Sequence, residues 1–198
     1  IRFGLRVHVC CTVNAMNYTD MAEFVEFIST TGVKRLNLSR FVPTGRGKHF
    51  LDPGDEAWRS IIRQCAELKT TYSGRLEITT HLAQEFLVDP AVREMPVFAG
   101  CQAGRGQGCI TANGTVLPCV LLPIKVGSIR ESRFEELWTN SPIIQAMQDR
   151  GNLKGRCGAC SLKERCGGCR AVAYARTGDA FADDPRCWFD GGPGKHVH

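Results

Sequence analysis

The chain has 198 residues, of which 43% are hydrophobic, and no apolar run approaches the roughly 20 residues of a spanning helix, so it reads as one ordinary domain or two small ones, soluble and without a membrane span. No charged start leads through an apolar stretch to a small-residue cleavage site, and 11 cysteines in a chain this long suit a reducing cytoplasm better than a short secreted disulfide scaffold. The formal charge of +5 is scattered, with no aromatic-interleaved patch for stacking bases, so nucleic acid is not expected; Arg156, Lys163, Arg165, Arg170 and Arg176 instead crowd among the cysteines.

Residues 5–13 are rich in β-branched side chains and predict a buried strand. Asp20 with Glu23 three positions on resembles a capping box, and Met21, Phe24, Val25 and Ile28 recur at helical spacing up to Gly32. A second strand is expected over 34–40, leaving into the turn-rich loop Phe41-Val-Pro-Thr-Gly-Arg-Gly47. Asp52-Pro53 offers an N-cap and a first-turn proline to a helix whose apolar stripe is Trp58, Ile61, Ile62, Cys65 and Leu68, which makes Cys65 a core residue. A third strand is expected over 75–80.

Alternating strands and helices argue for parallel β/α units, in which functional groups gather at the C-terminal ends of strands, here Thr12 to Asn14 and Phe41 to Arg46. Two or three such units cannot close a barrel, and an isolated parallel sheet leaves an edge open and a face wet. The α/β part is therefore expected to continue upstream of Ile1 or to pair with another chain.

From about residue 95 the composition turns to glycine, cysteine and short apolar pieces. Asn113-Gly114 between two short β-prone runs predicts a hairpin that brings Cys109 and Cys119 near one another. Ser132 offers a cap to a helix bearing Phe134, Leu137 and Trp138, Ser141-Pro142 opens another, and a helix over 170–176 is stopped by Gly178. Between them runs Cys157-Gly-Ala-Cys160-Ser-Leu-Lys-Glu-Arg-Cys166-Gly-Gly-Cys169, with Cys101, Cys109 and Cys119 upstream and Cys187 downstream. Zinc knuckles normally hold their CxxC pairs a dozen or more residues apart, whereas a cubane iron-sulfur cluster takes four thiolates and a compact run often lends its last thiolate to a second cluster. Two clusters on eight thiols is the favoured reading, with a structural zinc domain as the alternative.

The cysteine order, with Gly114-Thr-Val-Leu-Pro-Cys119, Val126-Gly-Ser-Ile-Arg130, Phe134-Glu-Glu-Leu-Trp138 and Cys166-Gly-Gly-Cys-Arg170, resembles the SPASM domain that follows the barrel of many radical S-adenosylmethionine (SAM) enzymes. The resemblance implies the fold class α/β, the C-terminal part of a partial (β/α)6 radical SAM barrel over residues 1–94, followed by a small cysteine-rich α+β SPASM domain over 95–190 and a disordered tail over 191–198. It assigns Cys101, Cys109, Cys119 and Cys169 to one auxiliary 4Fe-4S cluster and Cys157, Cys160, Cys166 and Cys187 to a second. Cys109 is the least secured of these ligands, because some members leave one iron open.

The same resemblance implies an oxidoreductase or maturase in which a third 4Fe-4S cluster and SAM generate a 5′-deoxyadenosyl radical. It also implies a redox donor such as ferredoxin or flavodoxin, a missing N-terminal barrel half as partner, and a tetrapyrrole or peptide as substrate. No three cysteines here stand in the CxxxCxxC spacing that binds the SAM-cleaving cluster, so this chain alone is not expected to cleave SAM. Sulfatase-maturing members place Asp after the cysteine that matches Cys119, where this chain has Val120; the pattern looks more like the branch of haem synthesis.

Thr12, Asn14, Phe41 and Pro43 are candidates to line a SAM pocket, against the plainer reading of ordinary turns, and Arg46 is a candidate for a carboxylate. His49 and His81 are isolated, and His196 and His198 fall in the tail. Catalytic residues remain open. A freestanding two-cluster electron carrier without SAM chemistry is the competing function.

Overall fold

Three parallel strands organise the first part of the chain: β1 (His8–Val13), β2 (Arg35–Arg40) and β3 (Glu77–Thr80), side by side in that order. Each crossover carries a helix, α1 (Met21–Thr30) between β1 and β2 and α2 (Asp55–Thr71) between β2 and β3. The register pairs His8 with Arg35 and Arg35 with Glu77. This computed structural model describes residues 4–46, 49–80, 82–95 and 100–190. The chain divides into two compact units, Ile1–Phe41 with Lys48–Pro96 and Val42–Gly47 with Val97–His198.

The core of the first unit follows the helical spacing of its sequence. Met21, Val25 and Ile28 of α1 are buried, as are Trp58, Ile61, Ile62, Cys65 and Leu68 of α2, and the Cys65 thiol lies 3.9 Å from Met21 Sδ. Burial of each large side chain is worth about 1.5–3 kcal/mol. The Arg40 guanidinium lies over the Trp58 ring at 4.7 Å from its centroid, so the end of β2 is packed onto α2 through a cation–π contact.

Three expectations for this unit are corrected. The first strand is shorter than residues 5–13 and largely exposed, with Leu5 66% and Val7 39% accessible, because β1 is the edge of the described sheet. Asp20 precedes α1 without a side-chain cap; its carboxylate accepts from the Thr19 hydroxyl instead. Asp52 accepts from the Gly54 N–H, and Gly54 rather than Asp52 is the residue before α2, so the Asp-Pro pair shapes the entering turn and leaves the first-turn charge to Asp55 and Glu56. A short helix α3 (Pro90–Glu94) has the cap that the other two lack, Asp89 accepting from Ala91 and Val92 N–H.

In the second unit the expected hairpin forms between β4 (Cys109–Ile110) and β5 (Thr115–Leu117), antiparallel, with Cys109 opposite Leu117. A further strand, β6 (Gly127–Ser128), pairs with β5. Short helices follow: α4 (Phe134–Asn140), α5 (Pro142–Gln148), α6 (Gly155–Ala159) and α7 (Arg170–Thr177). Arg133, not Ser132, precedes α4, and the Ser132 N–H closes a turn back to the Ser128 carbonyl at 3.1 Å. Gly178 ends α7 in the left-handed conformation, φ +78°, as its place in the sequence suggested. The core gathers Val42, Ala103, Leu122, Met147, Ala171 and Val172, and Cys101, Cys119 and Cys169 pack against it. Among the described residues no helix is long and apolar enough to cross a membrane.

Candidate metal centre

All 11 cysteines are free thiols, so none of the expected ligands is spent in a disulfide. Eight of them lie in the second unit, on loops and short elements pinned by the small core. The hairpin carries Cys109 on β4 and delivers Cys119 just past β5, where the Leu122 N–H donates to the Cys119 carbonyl at 3.0 Å and closes a tight turn. Cys157 lies in α6, Cys160 ends it, and Cys169 immediately precedes α7.

Mutual charge interactions sort these thiols into two sets. Burial raises the Cys119 pKa; the Leu121 N–H opposes the rise, and the neighbouring sulfurs of Cys169, Cys101 and Cys109 add to it. Cys187 is pushed up to about 11, first by burial, against the Phe189 backbone, with Asp184, Cys157 and Cys160 raising it further. Cys166 is raised by burial, lowered by the Gly168 N–H, and raised again by Cys187, Asp184 and Cys157. Cys101, Cys109, Cys119 and Cys169 thus form one neighbourhood, and Cys157, Cys160, Cys166 and Cys187 the other. Among the described residues no three His, Cys, Asp or Glu side chains close around a position for a single metal ion.

Donors point at the sulfurs. Leu121 N–H reaches Cys119 Sγ at 3.5 Å and Gln107 Nε2 reaches it at 3.6 Å; Leu162 N–H reaches Cys160 Sγ at 3.4 Å. Gly168 N–H lies 3.3 Å from Cys166 Sγ, while Cys157 Sγ receives Asp184 N–H at 3.4 Å and Arg170 Nη2 at 3.7 Å. Donors of this kind stabilise sulfur that carries negative charge, and they are a lever on the potential of an iron-sulfur cluster.

The link between Cys166 and Cys169 is the two-residue Gly167-Gly168, both at positive φ, +67° and +56°. A Cβ on Gly168 would lie 2.6 Å from Arg170 Nη2 and 2.9 Å from Asp184 Cβ, with Cys157 Sγ at 3.3 Å, so a side chain here would force its neighbours to shift. This lets Cys166 and Cys169 serve different neighbourhoods across so short a connection. Half-buried thiols around the buried Cys166, inward donors and a glycine cradle fit a group that binds thiolates and carries negative charge.

Sequence reasoning missed the carboxylates that fix this backbone. Asp183 accepts from Cys157 N–H at 2.8 Å, and the fully buried Asp184 accepts from Cys169 N–H at 2.8 Å and from Arg186 N–H at 3.1 Å. One adjacent pair thereby holds a thiol segment of each set. The signal available was the Asp-Asp-Pro stretch two residues before Cys187, a turn sequence with two acceptors. Arg170 is buried, donates to the Ala180 and Ala182 carbonyls at 2.9 and 2.7 Å, and opens α7 beside Cys157.

In the first unit, Thr12, Asn14 and Phe41 meet at the C-terminal edge of the parallel sheet. The Thr12 and Ser39 hydroxyls are 3.3 Å apart, the Asn14 amide donates to the Thr12 carbonyl at 3.0 Å, and Phe41 N–H donates to the Val13 carbonyl at 3.1 Å. Pro43 is buried and belongs to the second unit, and Arg46 is exposed. His81, His196 and His198, with the whole 191–198 tail, lie outside the described residues. Val120 is 62% accessible beside Cys119.

Residues 101–170 match the model of the SPASM family, an iron-sulfur cluster-binding domain. The chain is 31% identical over 196 residues to the AdoMet-dependent heme synthase of Methanosarcina barkeri, covering 93% of this chain and 56% of that protein. It is 30% identical over 214 residues to the pre-heme d1 synthase of Dinoroseobacter shibae, covering 94% and 52%. The chain therefore spans about half the length of the curated relatives it matches. Among solved structures, Streptococcus suis SuiB bound to its precursor peptide SuiA superposes with a TM-score of 0.68 at 18% identity, over 95% of this chain and 46% of that one. The fold is α/β, that of the later part of a partial (β/α)6 barrel followed by a small α+β cysteine-rich domain. Residues 101–170 carry the SPASM domain, and the chain as a whole is similar to the C-terminal part of SPASM-bearing radical SAM proteins.

Proposed function

We propose that this chain is the cluster-bearing C-terminal part of a radical SAM enzyme acting on a tetrapyrrole or a peptide. The observation that carries the reading is the division of eight free thiols into two neighbourhoods of four. Each set has the thiolate count of one 4Fe-4S cluster. Cys101, Cys109, Cys119 and Cys169 would hold the first and Cys157, Cys160, Cys166 and Cys187 the second. When bound, such clusters supply one-electron exchange at potentials set by their surroundings. The residues of this chain aim N–H donors at the sulfurs and fix the two thiol segments through Asp183 and Asp184.

In the complete enzyme a 5′-deoxyadenosyl radical, formed at a third cluster on a CxxxCxxC loop upstream, would abstract hydrogen from the substrate, and the clusters of this chain would take up or relay the remaining electron or help bind the substrate. A redox donor of the ferredoxin or flavodoxin kind would supply reducing equivalents. Thr12, Asn14 and Phe41 stand where a parallel sheet offers its ligand edge, and they are assigned to the SAM side of the site. A tetrapyrrole is favoured by the two haem-synthesis relatives and by Val120 in place of an acid after Cys119. The two-domain division near residue 95 and a cytoplasmic location belong to the same reading.

The test compares the reconstituted chain with the same polypeptide extended by its own upstream coding sequence, each given SAM and dithionite. The chain alone is expected to hold iron and sulfide and to yield no 5′-deoxyadenosine, while the extended protein yields it. An upstream sequence without CxxxCxxC, and no 5′-deoxyadenosine from the extended protein, would leave an electron carrier. Zinc without sulfide would make the unit a structural metal domain.

A further inference from the structure

One buried cation touches both thiol neighbourhoods and lies outside the cysteine run. Arg150 opens the short 3-10 turn Arg150–Asn152 and is 3% accessible. Its Nη2 donates to the Cys101 carbonyl at 2.6 Å. The other fork of the guanidinium lies against Gly167, where a Cβ would stand 1.6 Å from Nη1. The segments it spans are themselves joined, Cys101 N–H donating to the Cys166 carbonyl at 3.0 Å. Cys101 belongs to one set and Cys166 to the other, so Arg150 sits on the seam between them.

We infer that Arg150 positions this seam and that its charge raises the reduction potentials of both clusters. The inference rests on the two-cluster reading. A 4Fe-4S cluster with four thiolates carries about −2 when oxidised and one more negative charge when reduced, so a fixed cation nearby favours the reduced form. Guanidinium suits the place because it stays charged when buried and its planar fork reaches two segments at once. Burial lowers the Arg150 pKa and so do Arg105 and Arg170 beside it, while the charges of Cys101 and Cys166 act in the opposite direction. Arg105 and Arg170 are therefore close enough to Arg150 for their charges to act on it. Arg170 Nη2 lies 3.7 Å from Cys157 Sγ, and the Arg105 N–H donates to the Gln102 carbonyl at 3.0 Å on the turn that follows Cys101.

The test is a potentiometric titration, followed by electron paramagnetic resonance, of the anaerobically reconstituted chain and of Arg150→Gln, Arg150→Lys and Arg105→Gln. Arg150→Gln is expected to keep its iron and sulfide and to show, for both clusters, about a tenfold lower ratio of reduced to oxidised form at fixed potential, equivalent to about 59 mV for one electron. Arg150→Lys, which keeps the charge and loses the fork, is expected to recover most of that shift. Arg105→Gln, which leaves the Arg150 contact with Cys101 in place, is expected to move the midpoints the same way by a smaller amount. Full loading of Arg150→Gln with unmoved midpoints, or movement of one cluster alone, overturns the inference. If Arg150→Gln fails to load, Arg105→Gln decides: unmoved midpoints there overturn it, lowered ones support it. A parent chain that binds no sulfide removes the cluster reading itself, which full loading with unmoved midpoints does not.

Discussion

Replacing Gly167 by alanine perturbs the two-glycine link at the point where it meets Arg150. Alanine at φ +67° costs about 1–2 kcal/mol in backbone strain. The new methyl would also stand 1.6 Å from Arg150 Nη1 and 2.0 Å from its Cζ, so the guanidinium must leave. It cannot swing freely, being 3% accessible and bound to the Cys101 carbonyl at 2.6 Å, and losing a hydrogen bond from a charged donor costs about 1.5–3 kcal/mol more. With the smaller entropy of the unfolded chain offsetting part of the strain, the expected loss is about 2–4 kcal/mol, a large share of a marginal domain's stability. Gly178→Ala is the matched control, because it has a similar φ of +78° and open space around the new Cβ. That variant carries the strain alone, partly offset by the smaller entropy of the unfolded chain, for a net of about 1 kcal/mol. Urea unfolding of the reconstituted proteins, with iron per chain measured alongside, reads the difference. Equal losses for the two variants, within about 1 kcal/mol, would refute the close approach of Arg150 to the link.

Asp184→Ala leaves the Cys169 and Arg186 N–H groups without their acceptor in a buried place and is expected to lose about 2–4 kcal/mol and to shed iron on dilution, as followed by absorbance and iron assay. Trp58→Ala empties a fully buried site on α2 and removes the partner of Arg40, so urea unfolding of the first unit should show a loss of about 3–5 kcal/mol. Cys65 gives a pH dependence: its folded pKa is pushed up to about 12 by burial and by Glu85, from 9.0, so the folded state keeps a proton that the unfolded chain releases. That stability is complete below about pH 9 and fades as pH rises toward about 12. Between pH 8 and 10.5 the parent should lose about 2 kcal/mol more than Cys65→Ala, and equal losses would be the contrary result.

The parts of the molecule legible in the sequence were those encoded by local spacing. The α2 stripe from Trp58 to Leu68 is buried where its period placed it, the Asn113-Gly114 hairpin forms, and Gly178 ends α7. Long-range features were not legible. Arg150 meets Cys101 across 49 positions, and nothing around residue 150 marks it apart from other basic residues. Asp184 and Cys169 are similarly joined by folding rather than by proximity in the chain. Caps failed for a related reason: Asp20 and Asp52 each found a competing donor one or two residues away. The exposure of β1 depends on which strands flank it, information that no window of residues contains.

The central claim, two clusters on two separate sets of four thiols, is tested most directly by counting iron and acid-labile sulfide in single and paired cysteine variants after anaerobic reconstitution. The parent should hold about eight irons, and Cys166→Ala about four. Adding Cys187→Ala, from the same neighbourhood, should leave about four, whereas adding Cys101→Ala, from the other, should leave close to none. Equal iron in the two paired variants, or zinc in place of iron and sulfide, would contradict the account.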